Sequence, residues 1–277
     1  MDPAGKTFLI TGSTDGVGRV VARRLGAAGA NVLVHGRDRE RGDVVVEEIC
    51  RTGGTAAFYS ADLSSFNGVR SLADAVRRDH GRLDVLINNA GIGSASEGRQ
   101  RRVSADGHEL RFAVNYLATF LLTRLLLPLI RSSAPARIVN VASLGQHPID
   151  FDDVMLTRNY DGSRAYAQSK LAQIMFTFDL ARELEGTGVT VNSLHPATYM
   201  DTTMVRAGGI TPTSTVDEGA DAILNLAVSA ELEGKSGLFF DRRRPSRANA
   251  QAYDEAARKR LRELSQRLTG LTAAAAK

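Results

Sequence analysis

The sequence contains one cysteine, Cys50, among its 277 residues. A single thiol excludes an intrachain disulfide framework and a cysteine-based metal site. The five histidines show no metal-ligand spacing, so we predict no bound metal. A lone cysteine fits a reducing compartment, and residues 1–5 are too few to hold the apolar part of a signal peptide. We therefore predict a cytoplasmic protein.

The chain also lacks a long hydrophobic run and a linker-like segment. Its most apolar stretch, Phe120 to Ile130, contains Arg124 and Pro128 and falls short of the roughly 20 residues that cross a bilayer. We interpret it as a buried helix and predict no membrane association through it. No Pro- or Ser-rich linker divides the chain, which predicts a single domain over residues 1–277 with its core at about 6–240.

The charge is nearly balanced, with 35 basic and 31 acidic residues and a net charge of +4. Two short basic runs, at 99–102 and 242–244, are compatible with nucleic-acid contacts, but solvated loops are the simpler interpretation. We therefore predict no nucleic-acid partner.

Short apolar runs alternate with amphipathic segments along the chain, which indicates an α/β domain. Strands are predicted at 7–10, 31–35, 56–60, 83–87, 137–141, 190–194 and 237–240. Helices are predicted at about 20–25, 40–51, 66–78, 107–130, 164–185 and 216–230.

A glycine-rich turn, Thr11 to Gly18, lies between the first strand and the first helix. Its glycines stand at 12, 16 and 18. Such a turn lets backbone N–H groups approach a phosphate, and the following helix N-terminus favours the negative charge. The turn therefore predicts a dinucleotide ligand, with a tight strand-to-helix connection as the alternative.

Arg37 follows the second strand, where a dinucleotide-binding fold places an acid for the ribose of NAD or an arginine for the 2′-phosphate of NADP. Arg37 thus favours NADP(H) over NAD(H). Asp38 and Asp15 argue against this choice, and an ordinary surface arginine is the alternative.

Two polar positions follow the third and fourth strands. Asp62 is a candidate for the N-cap of the next helix or for a cofactor contact. The tetrapeptide Asn88 to Gly91 ends a strand with small and amide side chains, which suits a cofactor lying against the backbone. A turn stabilised by asparagine side chains is the alternative.

Four polar residues further along the chain are candidates for chemistry. Asn115 lies in a helix interior, where an asparagine needs either a core hydrogen bond or a role in a site. Ser143 ends the fifth strand, the edge where open α/β sheets bind ligands, although a cap or turn serine is common there. Tyr166 and Lys170 are four residues apart on one helix and therefore share a face.

These motifs, in this order, resemble the short-chain dehydrogenase/reductase family over residues 6–240. The resemblance implies a doubly wound (Rossmann) sheet of about seven parallel strands with helices on both faces, and hydride transfer between a nicotinamide and a carbonyl or alcohol carbon. It also implies that Asp62 contacts the adenine. The cofactor-binding residues that the motifs and the resemblance indicate are Gly12, Ser13, Thr14, Asp15, Gly16, Val17, Gly18, Arg37, Asp62, Leu63, Asn89, Ala90, Gly91, Tyr166, Lys170, Pro196, Ala197, Thr198 and Thr202.

The resemblance also implies the catalytic roles. Tyr166 is the general acid, and Lys170 lowers the pKa of this tyrosine and holds the nicotinamide ribose. Ser143 binds the substrate oxygen, and Asn115 supports Lys170 through an ordered water.

The 22 residues between Ser143 and Tyr166 resemble an insertion of retinol-dehydrogenase-like members, whose substrates are often apolar. The predicted substrate contacts are His147, Phe151, Met155, Tyr199 and Met204. A loop packed against its own protein is the alternative for the insertion.

Residues 197–216 have the composition of a mobile lid, and 249–268 form an amphipathic helix. We expect this helix to dock on its own domain or on a partner subunit, with an anionic membrane as the alternative. The helices at 107–130 and 164–185 resemble those through which many relatives form homodimers or homotetramers.

The sequence therefore predicts an NADP(H)-dependent carbonyl reductase or alcohol dehydrogenase acting on a small, apolar substrate. One alternative is a non-catalytic sensor or scaffold protein that binds NADP(H). The other is a membrane-peripheral enzyme that acts on lipids.

Overall fold

The computed structural model describes residues 1–94 and 100–271. The strands are β1 Thr7–Ile10, β2 Asn31–Gly36, β3 Thr55–Ser60, β4 Val85–Asn88, β5 Ala136–Val141, β6 Val189–His195, β7 Phe239–Asp241 and β8 Arg244–Ser246. The α-helices are α1 Gly16–Ala27, α2 Arg39–Arg51, α3 Phe66–Asp79, α4 Ala118–Ser132, α5 Gly162–Glu183, α6 Thr203–Ala207, α7 Val216–Val228 and α8 Glu255–Thr269. A π-helical segment, Phe112–Leu117, leads directly into α4.

The strands form one sheet in the order β3-β2-β1-β4-β5-β6-β7-β8. The first seven strands are parallel, which confirms the predicted doubly wound fold. The chain order reverses between β1 and β4, and their carboxyl ends therefore open into the crevice where such sheets bind ligands.

The eighth strand was not predicted. It pairs antiparallel with β7 after a tight reversal at Arg242, whose φ is 55°. All three residues of β8 are exposed, so the segment has no apolar alternation, and it contains Pro245. A proline suits an edge strand because it has no N–H to donate to a further neighbour.

Helices cover both faces of the sheet. Side chains of β1 alternate between the two layers, with Phe8 and Ile10 in the core beneath α1, α2 and α7. Leu9 points the other way, into the core beneath α3, α4, α5 and α8. This alternation follows from the two-residue period of a strand, and it explains why central strands read as continuous apolar runs.

The apolar segment that was interpreted as a buried helix lies in the second of these cores. Phe112–Ser132 is the one helix among the described residues with the length and hydropathy of a membrane span, yet 78% of its most apolar window is buried within the fold. The interpretation as a buried helix is confirmed.

The C-terminal helix α8 docks on its own protein, as the first of the predicted alternatives proposed. Leu261 is 1% exposed, and the hydroxyls of Ser265 and Tyr116 are 2.7 Å apart. Arg262 forms an ion pair at 2.5 Å with Asp179 of α5. Helix α8 therefore covers part of the α5 surface on which pairing with a second copy was predicted, and the pairing itself stays a prediction.

Candidate functional site

The end of β4 holds the glycine-rich turn in place. The Thr11 hydroxyl accepts hydrogen bonds from the backbone N–H groups of Asn89 and Ala90, both at 3.0 Å. In return, the Asn89 amide donates to the carbonyl oxygens of Thr11 at 2.9 Å and Gly12 at 3.0 Å. The turn after β1 and the chain after β4 are thereby joined side by side at the crevice.

The turn leaves no room for side chains at two of its glycines. A Cβ on Gly18 would overlap the carbonyl oxygen of Gly12 and lie 2.5 Å from the Asn89 side-chain nitrogen. Gly12 has a φ of 65°, and its Cβ would stand 2.9 Å from the Ala90 Cα. Bare backbone at the N-terminus of α1 is the cradle that a dinucleotide pyrophosphate requires, so the residues present fit this group.

The underside of the turn is fixed by a histidine that the sequence analysis did not identify. His35, 2% exposed, accepts the Gly12 N–H at 3.1 Å through Nδ1. Burial lowers the pKa of His35 to about 4, so the ring is neutral at pH 7 and keeps this acceptor. The Ser13 hydroxyl donates to the Ile10 carbonyl at 2.8 Å and accepts the His35 N–H at 3.0 Å.

Several residues predicted to bind the cofactor thus lie beneath the crevice. Ser13 has no exposed surface, and its side chain holds the turn itself. Val17 is 8% and Leu63 is 7% exposed, and both pack in the apolar cores. A cofactor in the crevice would therefore contact the backbone of Ser13 and the more exposed residues of the turn, not these side chains.

The corner beyond β2 is basic. Arg37 is exposed at the end of the strand. The Asp38 carboxylate accepts the Arg41 N–H at 3.1 Å and so serves as the N-cap of α2. The acid that argued against NADP(H) therefore has a structural role.

Asp15 is also engaged. Its carboxylate caps α1 by accepting the Gly16 N–H at 2.7 Å, and it lies 3.4 Å from the Arg41 guanidinium. The hydroxyl of Thr203, in α6, donates to the same carboxylate at 2.9 Å. Thr202 lies beside the turn, 3.3 Å from where a Cβ on Gly16 would stand. Residues of the predicted lid therefore contact the glycine-rich turn directly.

The N-cap alternative for Asp62 is wrong. Helix α3 is capped by Ser65, whose hydroxyl accepts the Gly68 N–H at 3.4 Å. Asp62 is exposed, and one of its oxygens accepts the Ser64 N–H at 2.9 Å. A contact between Asp62 and adenine stays a prediction.

Ser143 and Tyr166 meet at the carboxyl end of β5. The Ser143 hydroxyl accepts the Gly145 N–H at 3.0 Å, so its own proton remains available for donation. Burial raises the pKa of Tyr166, while a hydrogen bond with Ser143 acts in the opposite direction. The sequence analysis did not identify Gly145. A Cβ at this position would stand 3.4 Å from the Ser143 hydroxyl, so a small residue suits it.

Lys170 lies one helical turn after Tyr166 and is 5% exposed. Its ammonium is 5.8 Å from the centre of the Tyr166 ring. It donates to the Val141 carbonyl at 2.8 Å and to the Gln173 side-chain oxygen at 2.9 Å. Burial lowers the pKa of Lys170 to about 7, because the charged form has lost most of its water.

Asn115 makes the core hydrogen bonds that were one of the two roles left open for it, and its role in a site stays a prediction. Its fully buried amide accepts the Ile92 N–H at 2.8 Å and donates to the Ile92 carbonyl at 3.1 Å. The same amide donates to the Ser169 hydroxyl at 3.0 Å, next to Lys170. Asn115 therefore fixes the chain that leaves β4 against the helix that carries Tyr166 and Lys170.

The loop after β6 approaches the site from the other side. The Thr198 hydroxyl is 3.0 Å from Nε2 of His195, and Pro196 and the buried Ala197 lie between them. Tyr199 is 50% exposed with a φ of 46°, a backbone conformation that costs free energy for a non-glycine residue.

Two of the predicted substrate contacts, Phe151 and Met155, pack against other parts of the protein. The Phe151 ring lies 4.8 Å beneath the Arg260 guanidinium of α8, and the Met155 sulfur accepts the Glu109 N–H at 3.3 Å. Both have the contacts expected of the alternative, a loop packed against its own protein. His147 is exposed, with Nδ1 2.8 Å from the Pro148 carbonyl oxygen.

The loop after Ser143 is hydrogen-bonded to a C-terminal segment. The sequence analysis did not connect this segment with the site. The Gln251 side chain accepts the Ile149 N–H at 2.6 Å and donates to the Ile149 carbonyl at 3.2 Å. Gln146 accepts the Asn249 N–H at 2.7 Å and donates to the Ser143 carbonyl at 2.9 Å. The position of Ser143 therefore depends on residues more than 100 positions later in the chain.

Comparisons with known proteins agree with this geometry. The family model described as short chain dehydrogenase matches residues 6–209. Human retinol dehydrogenase 13 is 38% identical over 291 aligned residues, which cover 97% of this chain and 86% of that protein. A structure from Mycobacterium paratuberculosis has a TM-score of 0.78 at 29% identity and covers 96% of this chain and 94% of its own. The Pseudomonas aeruginosa RhlG/NADP complex has a TM-score of 0.70 at 30% identity, with coverages of 87% and 97%.

The chain therefore belongs to the short-chain dehydrogenase family. Within the family it is one of the retinol-dehydrogenase-like members, as the insertion before Tyr166 predicted. It is an oxidoreductase of alcohol and carbonyl groups, with a fold suited to a nicotinamide cofactor.

Replacing Gly18 with alanine should weaken NADPH binding by at least about tenfold, because the new methyl group displaces the Gly12 carbonyl or the Asn89 amide that shapes the cradle. Binding is measured by titrating NADPH fluorescence. Gly81→Ala is the matched control, since a Cβ at Gly81 has open space around it. Equal affinities for the two variants would contradict this role of the turn.

Proposed function

We propose that the protein reduces the carbonyl group of a small, apolar substrate, or oxidises the corresponding alcohol, with NADP(H) as the cofactor. The observation that carries this proposal is the meeting of Ser143, Tyr166 and Lys170 at the sheet edge, beside a cradle that only glycine backbone can form. When bound there, the nicotinamide supplies or accepts a hydride.

The cofactor would lie along the crevice. The backbone of the turn from Gly12 to Gly18 would bind the pyrophosphate, and Arg37 would bind the 2′-phosphate. Lys170 would hold the nicotinamide ribose, because its ammonium stands at the crevice, 3.6 Å from where a Cβ on Gly91 would lie. Thr198 and Thr202 would close the cradle from the loop after β6.

The protein's own groups would handle the proton. A carbonyl oxygen that accumulates negative charge needs a hydrogen-bond donor and an acid. Ser143 would be the donor, because its oxygen accepts the Gly145 N–H and its own O–H remains available for donation. Tyr166 would be the acid. The positive charge of Lys170 favours the phenolate, which offsets the burial that raises the pKa of Tyr166.

The choice of NADP(H) is supported by the charges around Arg37. Asp38 is used as a helix cap, and Asp15 lies against the Arg41 guanidinium, so both acids are occupied. The RhlG structure is an NADP complex, which is consistent with this choice in a related protein.

The apolar substrate class is supported by exposed side chains near the site. Leu144 is 46% exposed directly after Ser143, and Tyr199 and Met204 of the lid are 50% and 39% exposed. Surfaces of this kind suit an apolar ligand. Relatives named retinol dehydrogenase point in the same direction. We keep a cytoplasmic location as part of the proposal.

Replacing Tyr166 with phenylalanine should reduce kcat for NADPH-dependent carbonyl reduction by about 10²–10⁴-fold, because the acid is lost. NADPH affinity should change little, since the ring and Lys170 remain. Turnover is measured with a panel of ketones, aldehydes, quinones, steroids and retinoids. Turnover equal to that of the unmodified protein would rule out the assigned acid. A protein that binds NADPH but turns over nothing would favour the sensor or scaffold alternative.

Replacing Arg37 with alanine should raise the dissociation constant for NADPH by about 10–100-fold, because charge-assisted bonds to the 2′-phosphate are lost. The constant for NADH should stay nearly unchanged. Arg39→Ala is the control, since Arg39 is also exposed but pairs with Asp43 at 3.8 Å. Equal losses for both cofactors would contradict a phosphate contact.

A further inference from the structure

A row of buried polar side chains runs beneath the Lys170 ammonium. Gln173, fully buried on α5, accepts from this ammonium through its side-chain oxygen at 2.9 Å. The Gln173 side-chain nitrogen faces the Thr119 hydroxyl at 3.4 Å. Thr119 in turn donates to the Asn115 main-chain carbonyl at 3.0 Å. Only the oxygen of an amide can face an ammonium, so Lys170 fixes the orientation of Gln173.

This row connects the Asn115 main-chain carbonyl with Lys170 through the side chains of Thr119 and Gln173. The predicted connection was an ordered water between Asn115 and Lys170. The Asn115 carbonyl lies in the π-helical segment and accepts the Thr119 hydroxyl. The link to Lys170 observed in the structure passes through Thr119 and Gln173.

We propose that Gln173 is the positioning residue for Lys170, and that its side-chain oxygen holds the ammonium in place and keeps it charged within the closed core. Within residues 1–94 and 100–271, Lys170 has two acceptors, and of these only Gln173 is a side chain. The consequence for catalysis rests on the function proposed above, whereas the effect on Lys170 itself does not.

The surroundings of Lys170 explain why one acceptor matters. Tyr166 on the same helix and His195 at the end of β6 are the titratable groups beside it. Burial lowers the pKa of His195, which favours the uncharged ring beside the ammonium. No carboxylate among the described residues contributes to the pKa of Lys170, which burial lowers to about 7. The hydrogen bonds that the ammonium donates to the Val141 carbonyl and to Gln173 therefore oppose the effect of burial.

Three variants separate this role from simple packing. Gln173→Leu keeps the approximate volume and removes the acceptor, and Gln173→Glu keeps the acceptor and adds a negative charge. Thr177→Val is the matched control. Thr177 is also fully buried, and its hydroxyl donates to the main-chain carbonyl of Gln173 at 2.8 Å without touching Lys170.

The readout is the protonation of Lys170 in the protein without cofactor. The chain has five lysines, so protein labelled with ¹³C at lysine Cε gives few signals, and the Lys170→Arg variant assigns the one of interest. Gln173→Leu should lower the titration midpoint of Lys170 by about one pH unit or more, and Gln173→Glu should raise it by a similar amount. Thr177→Val should lower the melting temperature and leave the midpoint unchanged.

An unchanged midpoint in Gln173→Leu would overturn the proposal. If that variant does not fold, the absence of an upward shift in Gln173→Glu would overturn it equally. A shift in Thr177→Val as large as that in Gln173→Leu would also overturn it, because loosened packing would then explain both.

Activity gives an independent comparison. The charged form of Lys170 exists below its pKa, so kcat/KM for carbonyl reduction should fall as pH rises through that pKa. In Gln173→Leu the fall should occur at lower pH, and in Gln173→Glu at higher pH. Midpoints that shift in a protein with no turnover would contradict the proposed function and leave the role of Gln173 intact. Turnover with unshifted midpoints would support the proposed function and overturn the role of Gln173.

Discussion

The hydrogen bonds between Thr11 and Asn89 are the contact on which the rest of the site depends. They join the carboxyl ends of β1 and β4, the two strands between which the chain order reverses. On one side of this contact lies the glycine cradle. On the other, the chain continues past Gly91 to Ile92, where Asn115 fixes it against α5. The cofactor cradle and the catalytic helix are therefore held in one frame by short side chains.

A second constraint is the burial of a positive charge. The proposed action of Lys170 on Tyr166 requires the two side chains to lie close together, and this position removes nearly all of the water around the ammonium. An ammonium in such a place is stable only with acceptors, which the Val141 carbonyl and Gln173 provide. This requirement explains why Gln173 on α5 and its partner Thr119 on α4 lie within the core.

The parts of the site that are local in sequence could be predicted. The strand, the glycine-rich turn and α1 are consecutive, and the four-residue spacing of Tyr166 and Lys170 places them on one face. Positions set by distant partners could not. His35 beneath the turn and Gln251 against Ile149 give no local signal, since an ordinary polar residue in a strand or tail looks the same.

One strand escaped prediction for a related reason. The edge strand β8 was missed because it is short, exposed and contains Pro245, so neither alternation nor composition marks it. Phe151 and Met155 were predicted as substrate contacts because their insertion resembles that of members with apolar substrates, and in the structure they contact Arg260 and Glu109. An apolar residue in an insertion packs equally well against a ligand or against its own protein, so the substrate contact stays a prediction.

The central claim is that a nicotinamide cofactor bound in this crevice transfers a hydride to the carbonyl carbon of a substrate. The most direct measurement uses NADPH that carries deuterium at the transferable position of the nicotinamide, with a carbonyl substrate that the enzyme turns over. Our account predicts deuterium on the carbinol carbon of the product, from one face of the nicotinamide only. An alcohol product without deuterium, or the same product formed by protein without cofactor, would contradict it.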